Sequence, residues 1–94
     1  MEDDDSAFHL TVYFSGRVQG VGFRYQVYNI AKGYETTGFV CNLTDGRVQL
    51  ELEGEEAEVN DFVAEIMDQM EGFIHEVEQT DEYRHREFQG FLIK

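Results

Sequence analysis

The sequence has no proline, one cysteine and only two lysines, Lys32 and Lys94. Each scarcity excludes something. Without proline no stiff Pro-rich linker divides the 94 residues, a length that suits one domain built on one core. The lone Cys41 rules out an internal disulfide and fits a reducing compartment, so a cytoplasmic location is expected. Cys41 lies in an apolar, strand-like run and reads as a small buried hydrophobe rather than a nucleophile. No apolar run reaches the roughly 18 residues of a membrane-spanning helix. The opening MEDDDSA lacks the basic and apolar segments of a secretory leader and is expected to be an acidic flexible tail over residues 1–7.

Positive charge is also in short supply. Lys and Arg number 7 against 20 Asp and Glu, a formal net charge of -13. A field of that sign repels nucleic acid and anionic membranes, so neither is expected as a partner. The few cations therefore stand out, and two of them, Arg17 and Arg24, flank the glycines of SGRVQGVGFRYQV at residues 15–27.

What is plentiful is periodic hydrophobicity. FHLTVYFS at 8–15 alternates, with Leu10, Val12 and Phe14 on one face of a predicted strand. After the glycine loop the period changes to that of a helix, with Phe23, Val27, Ile30, Ala31 and Tyr34 on one stripe and Gly33 available as a C-cap. TGFVCNL at 37–43 and RVQLELE at 47–53 read as a hairpin joined through Thr44, Asp45 and Gly46. The stretch 54–71 sets Val59, Phe62, Val63, Ile66, Met67 and Met70 opposite acids, with Glu55, Glu56 and Glu58 at the end where the helix dipole favours them. FIHEVEQT at 73–80 and REFQGFLIK at 86–94 supply two further predicted strands, with 83–87 in the connection between them. The expected fold is thus α+β over residues 8–94, a ferredoxin-like β-α-β-β-α-β sandwich. Its antiparallel sheet carries two helices on one face and an additional short C-terminal strand.

The glycine loop between a strand and a helix start offers backbone N–H groups at the positive end of a helix dipole, a cradle for a phosphate-like anion. Arg24, in the first turn, opposes that dipole at a cost of roughly 0.3–1 kcal/mol, which an anion bound there would offset. The loop lacks the Gly-Lys-Ser/Thr of a Walker sequence and the full G-x-G-x-x-G of a dinucleotide site. Read on their own, an Arg on a helix pairs as readily with a Glu, and an Asn before a turn commonly bonds that turn. His9, His75 and His85 show no metal-ligand spacing and read as structural or solvated. Arg47 reads as a cross-strand or surface charge.

GRVQGVGFR at 16–24, followed by GFVCNLTDGRV at 38–48, resembles the paired signature of the acylphosphatase family, and the likeness extends over residues 8–94. The resemblance implies hydrolysis of the carboxyl–phosphate bond of small-molecule acyl phosphates, with no metal and no organic cofactor, by a protein expected to be a monomer. It implies that Arg24 clamps the phosphate, that the backbone amides of Gln19, Gly20, Val21 and Gly22 complete the cradle, and that Asn42 holds the attacking water. MEGFIHEVEQTDEY departs from the Gly-Pro-rich connection frequent in the family. The competing function is a non-catalytic anion- or acyl-phosphate-binding regulatory module of the same fold, which needs the cradle and Arg24 but not Asn42.

Overall fold

In a computed structural model, which describes residues 6–94, the alternating SAFHLTVYFSG forms strand β1 (Ser6–Gly16). Ser6 and Ala7, assigned above to the tail, open this strand, and Ala7 is buried. Residues 1–5 lie outside the described part. Helix α1 (Phe23–Ala31), strands β2 (Thr37–Asn42) and β3 (Val48–Gly54), helix α2 (Glu56–Gln69), strand β4 (Ile74–His85) and the short β5 (Phe91–Ile93) follow.

The strands form one sheet in the order β4-β1-β3-β2-β5. Phe8, Leu10, Val12 and Phe14 of β1 pair with Gly54, Leu52, Leu50 and Val48 of β3, which brings two apolar faces into register beneath the helices. Burying each Val, Leu or Phe there contributes about 1.5–3 kcal/mol. The helices add Phe23, Val27 and Ile30 from one side and Val59, Phe62, Val63 and Ile66 from the other. This is the ferredoxin-like α+β sandwich expected above. Every pairing is antiparallel except the last, where β5 runs parallel to β2 (Gly38↔Phe91, Val40↔Ile93).

The parallel edge follows from the connection. β4 and β5 lie at opposite edges, so residues 86–90 cross one end of the sheet. Six Cα steps from His85 to Phe91 reach about 20 Å, against four strand spacings of about 4.8 Å, so the crossing segment is close to extended.

Four details differ from the sequence reading. β4 runs to His85, so Tyr83, Arg84 and His85 are strand residues rather than connection. Its polar edge sequence carries no alternation to reveal this, and pairing with the whole of β1 defines its length. β5 spans only Phe91–Ile93. Met67 is 40% exposed at the edge of the α2 stripe. Gly33 has no positive φ; Lys32 caps α1 in right-handed geometry, and Gly33 and Tyr34 donate to the carbonyls of Ile30 and Ala31. Tyr34 therefore leaves the helix and stacks on Phe62 (ring centroids 5.2 Å), while its hydroxyl donates to Glu65 at 2.7 Å. That bond to a carboxylate, aided by burial, pushes the phenol up to about 12.

Candidate functional site

The loop from β1 to α1 is fixed by backbone demands that only glycine meets. At Gly16 a Cβ would collide with the Phe73 carbonyl oxygen at 2.4 Å, where the register between β1 and β4 shifts. Gly20 and Gly22 both have φ of 78°, and a Cβ on either would meet nothing within 4 Å. Conformation, not crowding, requires glycine at these two positions, and the space above them is open.

Gln19 holds this loop against the β2–β3 hairpin. Its side-chain Nε2 donates to the carbonyls of Leu43 (2.8 Å) and Arg47 (3.0 Å). That contact joins the two sequence motifs, and neither motif alone revealed it. Among the described residues, the backbone N–H groups of Gln19, Gly20, Val21 and Gly22 donate to no protein acceptor. Gly22, which has no side chain to cap a helix, is the N-cap of α1, and the first turn contains no acid. Helix α2 differs, with Glu56 and Glu58 in its first turn. The α1 end thus combines unpaired N–H groups, an unopposed dipole and a cation, an arrangement completed by an anion from outside.

A pocket of about 260 Å³ opens here, and Gly20, Gly22, Arg24, Tyr25, Asn42 and Ile93 share its wall. The fold thus gathers Arg24, Asn42 and the two loop glycines in one cavity. Gln19 and Val21 flank it through the loop backbone, and Val21 packs its side chain against the core. The guanidinium of Arg24 donates one N–H from Nη1 to the Lys94 carbonyl at 2.8 Å, which orients it. Asn42 ends β2, exposed, and its amide makes no hydrogen bond among the described residues. The turn-bonding role open to Asn42 belongs instead to Asp45, which accepts from the Arg47 backbone N–H (3.1 Å) and Nε (2.9 Å). Those bonds, the backbone one foremost, hold the Asp45 carboxyl below its usual value.

The other singled-out residues fall outside the pocket. Arg17 lies over the Phe73 ring (5.7 Å), and Arg47 lies over Tyr13 (4.7 Å) while pairing with Asp45 and Glu78. Cys41 is half-buried beside Gln49 rather than fully buried, and burial pushes its thiol up, away from the reactive thiolate.

The model of the acylphosphatase family matches residues 10–93. The chain belongs to that family. It is 37% identical to an acylphosphatase of Bacillus pumilus, over 92% of this chain and 97% of the relative. An acylphosphatase of Photorhabdus laumondii is 49% identical over a shorter stretch, 56% of this chain and 58% of the relative, so that match spans little more than half of the relative's length. Among solved structures, the crystal structure of acylphosphatase from Bacillus subtilis superimposes with a TM-score of 0.83 at 29% identity, covering 93% of this chain and 98% of that one. No helix among the described residues is long and apolar enough to cross a membrane.

Proposed function

We propose that the protein hydrolyses acyl phosphates to a carboxylate and inorganic phosphate in the pocket shared by the glycine loop, Arg24 and Asn42. One observation carries the reading. Four consecutive backbone N–H groups without a partner among the described residues stand beside a guanidinium that the chain itself orients. A tetrahedral dianion satisfies both sets of donors at once. Of the five N–H donors of Arg24, one is committed to Lys94, and the rest can meet phosphate oxygens in the planar fork.

Phosphoryl transfer asks mainly for in-line positioning and for charge stabilisation on the equatorial oxygens, which fixed amides and one guanidinium supply. The leaving group is a carboxylate whose parent acid has a pKa near ~4–5 by analogy with side-chain carboxyls, so it departs without a proton donor. Water attacks phosphorus, its oxygen ends in phosphate, and the bridging oxygen leaves with the acyl group. The unbonded side-chain amide of Asn42 accepts a hydrogen bond from that water and sets its direction. These residues account for catalysis without a metal or cofactor at the pocket. The substrate is a small molecule held chiefly by its phosphate end, and the protein works as a monomer in the cytoplasm.

The test is steady-state hydrolysis of benzoyl phosphate by the chelator-treated protein. Equal release of benzoate and phosphate, inhibited competitively by inorganic phosphate, is the expected result. Phosphate binding without turnover would make the domain an anion-binding module and end the hydrolase reading.

A further inference from the structure

A second cluster of functional side chains lies at the other end of β1, under the segment that crosses from β4 to β5. His9 is 2% exposed and Glu53 is fully buried, and both face away from the helices. Glu53 accepts the backbone N–H of Glu87 at 2.8 and 3.0 Å and that of Phe88 at 3.0 Å. His9 Nδ1 has no hydrogen-bond partner among the described residues, and its neighbour Glu53 Oε2 is 3.5 Å away. That separation is too long for a good hydrogen bond. It is close to the roughly 3.4 Å between two donors bound about 2.1 Å from one tetrahedral ion. Glu87 offers a carboxylate oxygen within 4.8 Å of the donor atoms of the other two residues.

We propose that His9, Glu53 and Glu87 form a site for one divalent ion of the zinc class, distinct from the phosphate pocket. His9 would ligate through Nδ1 and carry its proton on Nε2, donated to Glu51 Oε1 at 3.1 Å; the Arg84 guanidinium, which can only donate to that same Nε2 at 2.8 Å, has to turn away when the ion binds. One imidazole and two carboxylates leave a fourth position for water, a donor set that suits zinc better than magnesium. Without the ion, Arg84 is the local cation, its Nη2 lying 2.8 Å from both His9 Nε2 and Glu87 Oε1. When the ion takes Glu87, the partly exposed guanidinium keeps Glu82, 3.0 Å from its Nη1. Arg84 pairs with Glu51, Glu82 and Glu87, and Glu53 adds a fourth carboxylate beside His9, so the cluster holds more negative charge than its arginine offsets. The ion ties the crossing segment to β1 and β3. His9 and Gly16 are separated by seven residues of strand, about 23 Å, so this is an accessory site and not part of the hydrolytic one.

The test is a calorimetric titration of the full chain with zinc chloride after removal of bound metal by a chelator. The imidazole nitrogens of His9 are followed in parallel by nitrogen-detected resonance. One ion per chain, a displaced His9 Nδ1 resonance, affinity weakened about 10–100-fold in Glu87→Gln and tightened in Arg84→Met are expected. Glu87 is exposed, so its amide variant keeps the fold. No zinc binding, binding that leaves the His9 resonance in place, or affinity indifferent to Glu87→Gln would overturn the proposal and assign any bound zinc to surface carboxylates.

Discussion

The two ends of the sheet solve the same problem in opposite ways. At one end the N–H groups of Glu87 and Phe88 turn onto the buried carboxylate of Glu53. At the other the N–H groups of Gln19 to Gly22 meet no acceptor among the described residues, and the nearby charge, Arg24, is positive. The protein supplies its own anion where it needs rigidity. On the function proposed above, it leaves the anion out where the substrate's phosphate is to sit. A chain with so large an acidic excess has carboxylates to spare, so the absence of one from the first turn of α1 is informative.

Variants that cancel one end or the other sharpen this contrast. Arg24→Ala should have the largest effect: kcat/KM for benzoyl phosphate falls about 10³-fold or more, equivalent to about 4 kcal/mol, if the guanidinium acts, as proposed, on charge developing in the transition state. Steady-state kinetics on protein of unchanged circular dichroism reads this directly. Glu53→Ala acts at the other end and on stability. It leaves two backbone donors without their acceptor and costs about 3 kcal/mol in urea unfolding, while turnover per folded molecule changes far less. If Glu53→Ala instead matched Arg24→Ala in kinetics, the division of labour between the two ends would be wrong.

Asn42→Ala follows: on the proposed mechanism, in which the amide directs water rather than the anion, kcat falls about 10²-fold (about 2.7 kcal/mol) and inorganic phosphate binding is retained. Equal loss of binding and rate would make Asn42 part of the clamp. The smallest effect is expected at Tyr34, which belongs to neither end. Its folded phenol is raised to about 12 by Glu65, above the ordinary value of 10.0. The stabilisation this represents is complete below pH 10 and is lost as pH rises towards 12. Comparing alkaline unfolding of the parent with that of Tyr34→Phe, alongside the phenolate absorbance, checks the sign.

How much of this was legible depends on sequence distance. The pocket is built from two short motifs, and the residue types of GRVQGVGFR and the hairpin carry both its geometry and its charge. The core helices announce themselves through Phe23, Val27 and Ile30 and through Val59, Phe62 and Ile66, because helical periodicity is a local signal. The Glu53 cluster gave no such signal. His9, Glu53 and Glu87 are far apart in the chain and meet only because β1 pairs with β3 and the 86–90 segment crosses above them. Glu53 simply continues the polar alternation of VQLELEG, and its burial comes from that crossing segment. The parallel edge was hidden for the same reason, since β5 meets β2 through a connection whose path no local pattern records. The length of β4 was hidden because an edge strand of Glu, Gln, Thr and Asp has no apolar rhythm.

The most direct test of the contrast is an amide resonance titration of the whole chain with inorganic phosphate. The amides of Gln19, Gly20, Val21 and Gly22 should shift together with one saturation curve, and this response should be strongly weakened in Arg24→Ala. The amides of Glu87 and Phe88, already bonded to Glu53, should stay in place. Shifts scattered over the surface, or none in the loop, would contradict the claim that this glycine turn is a cradle left open for phosphate.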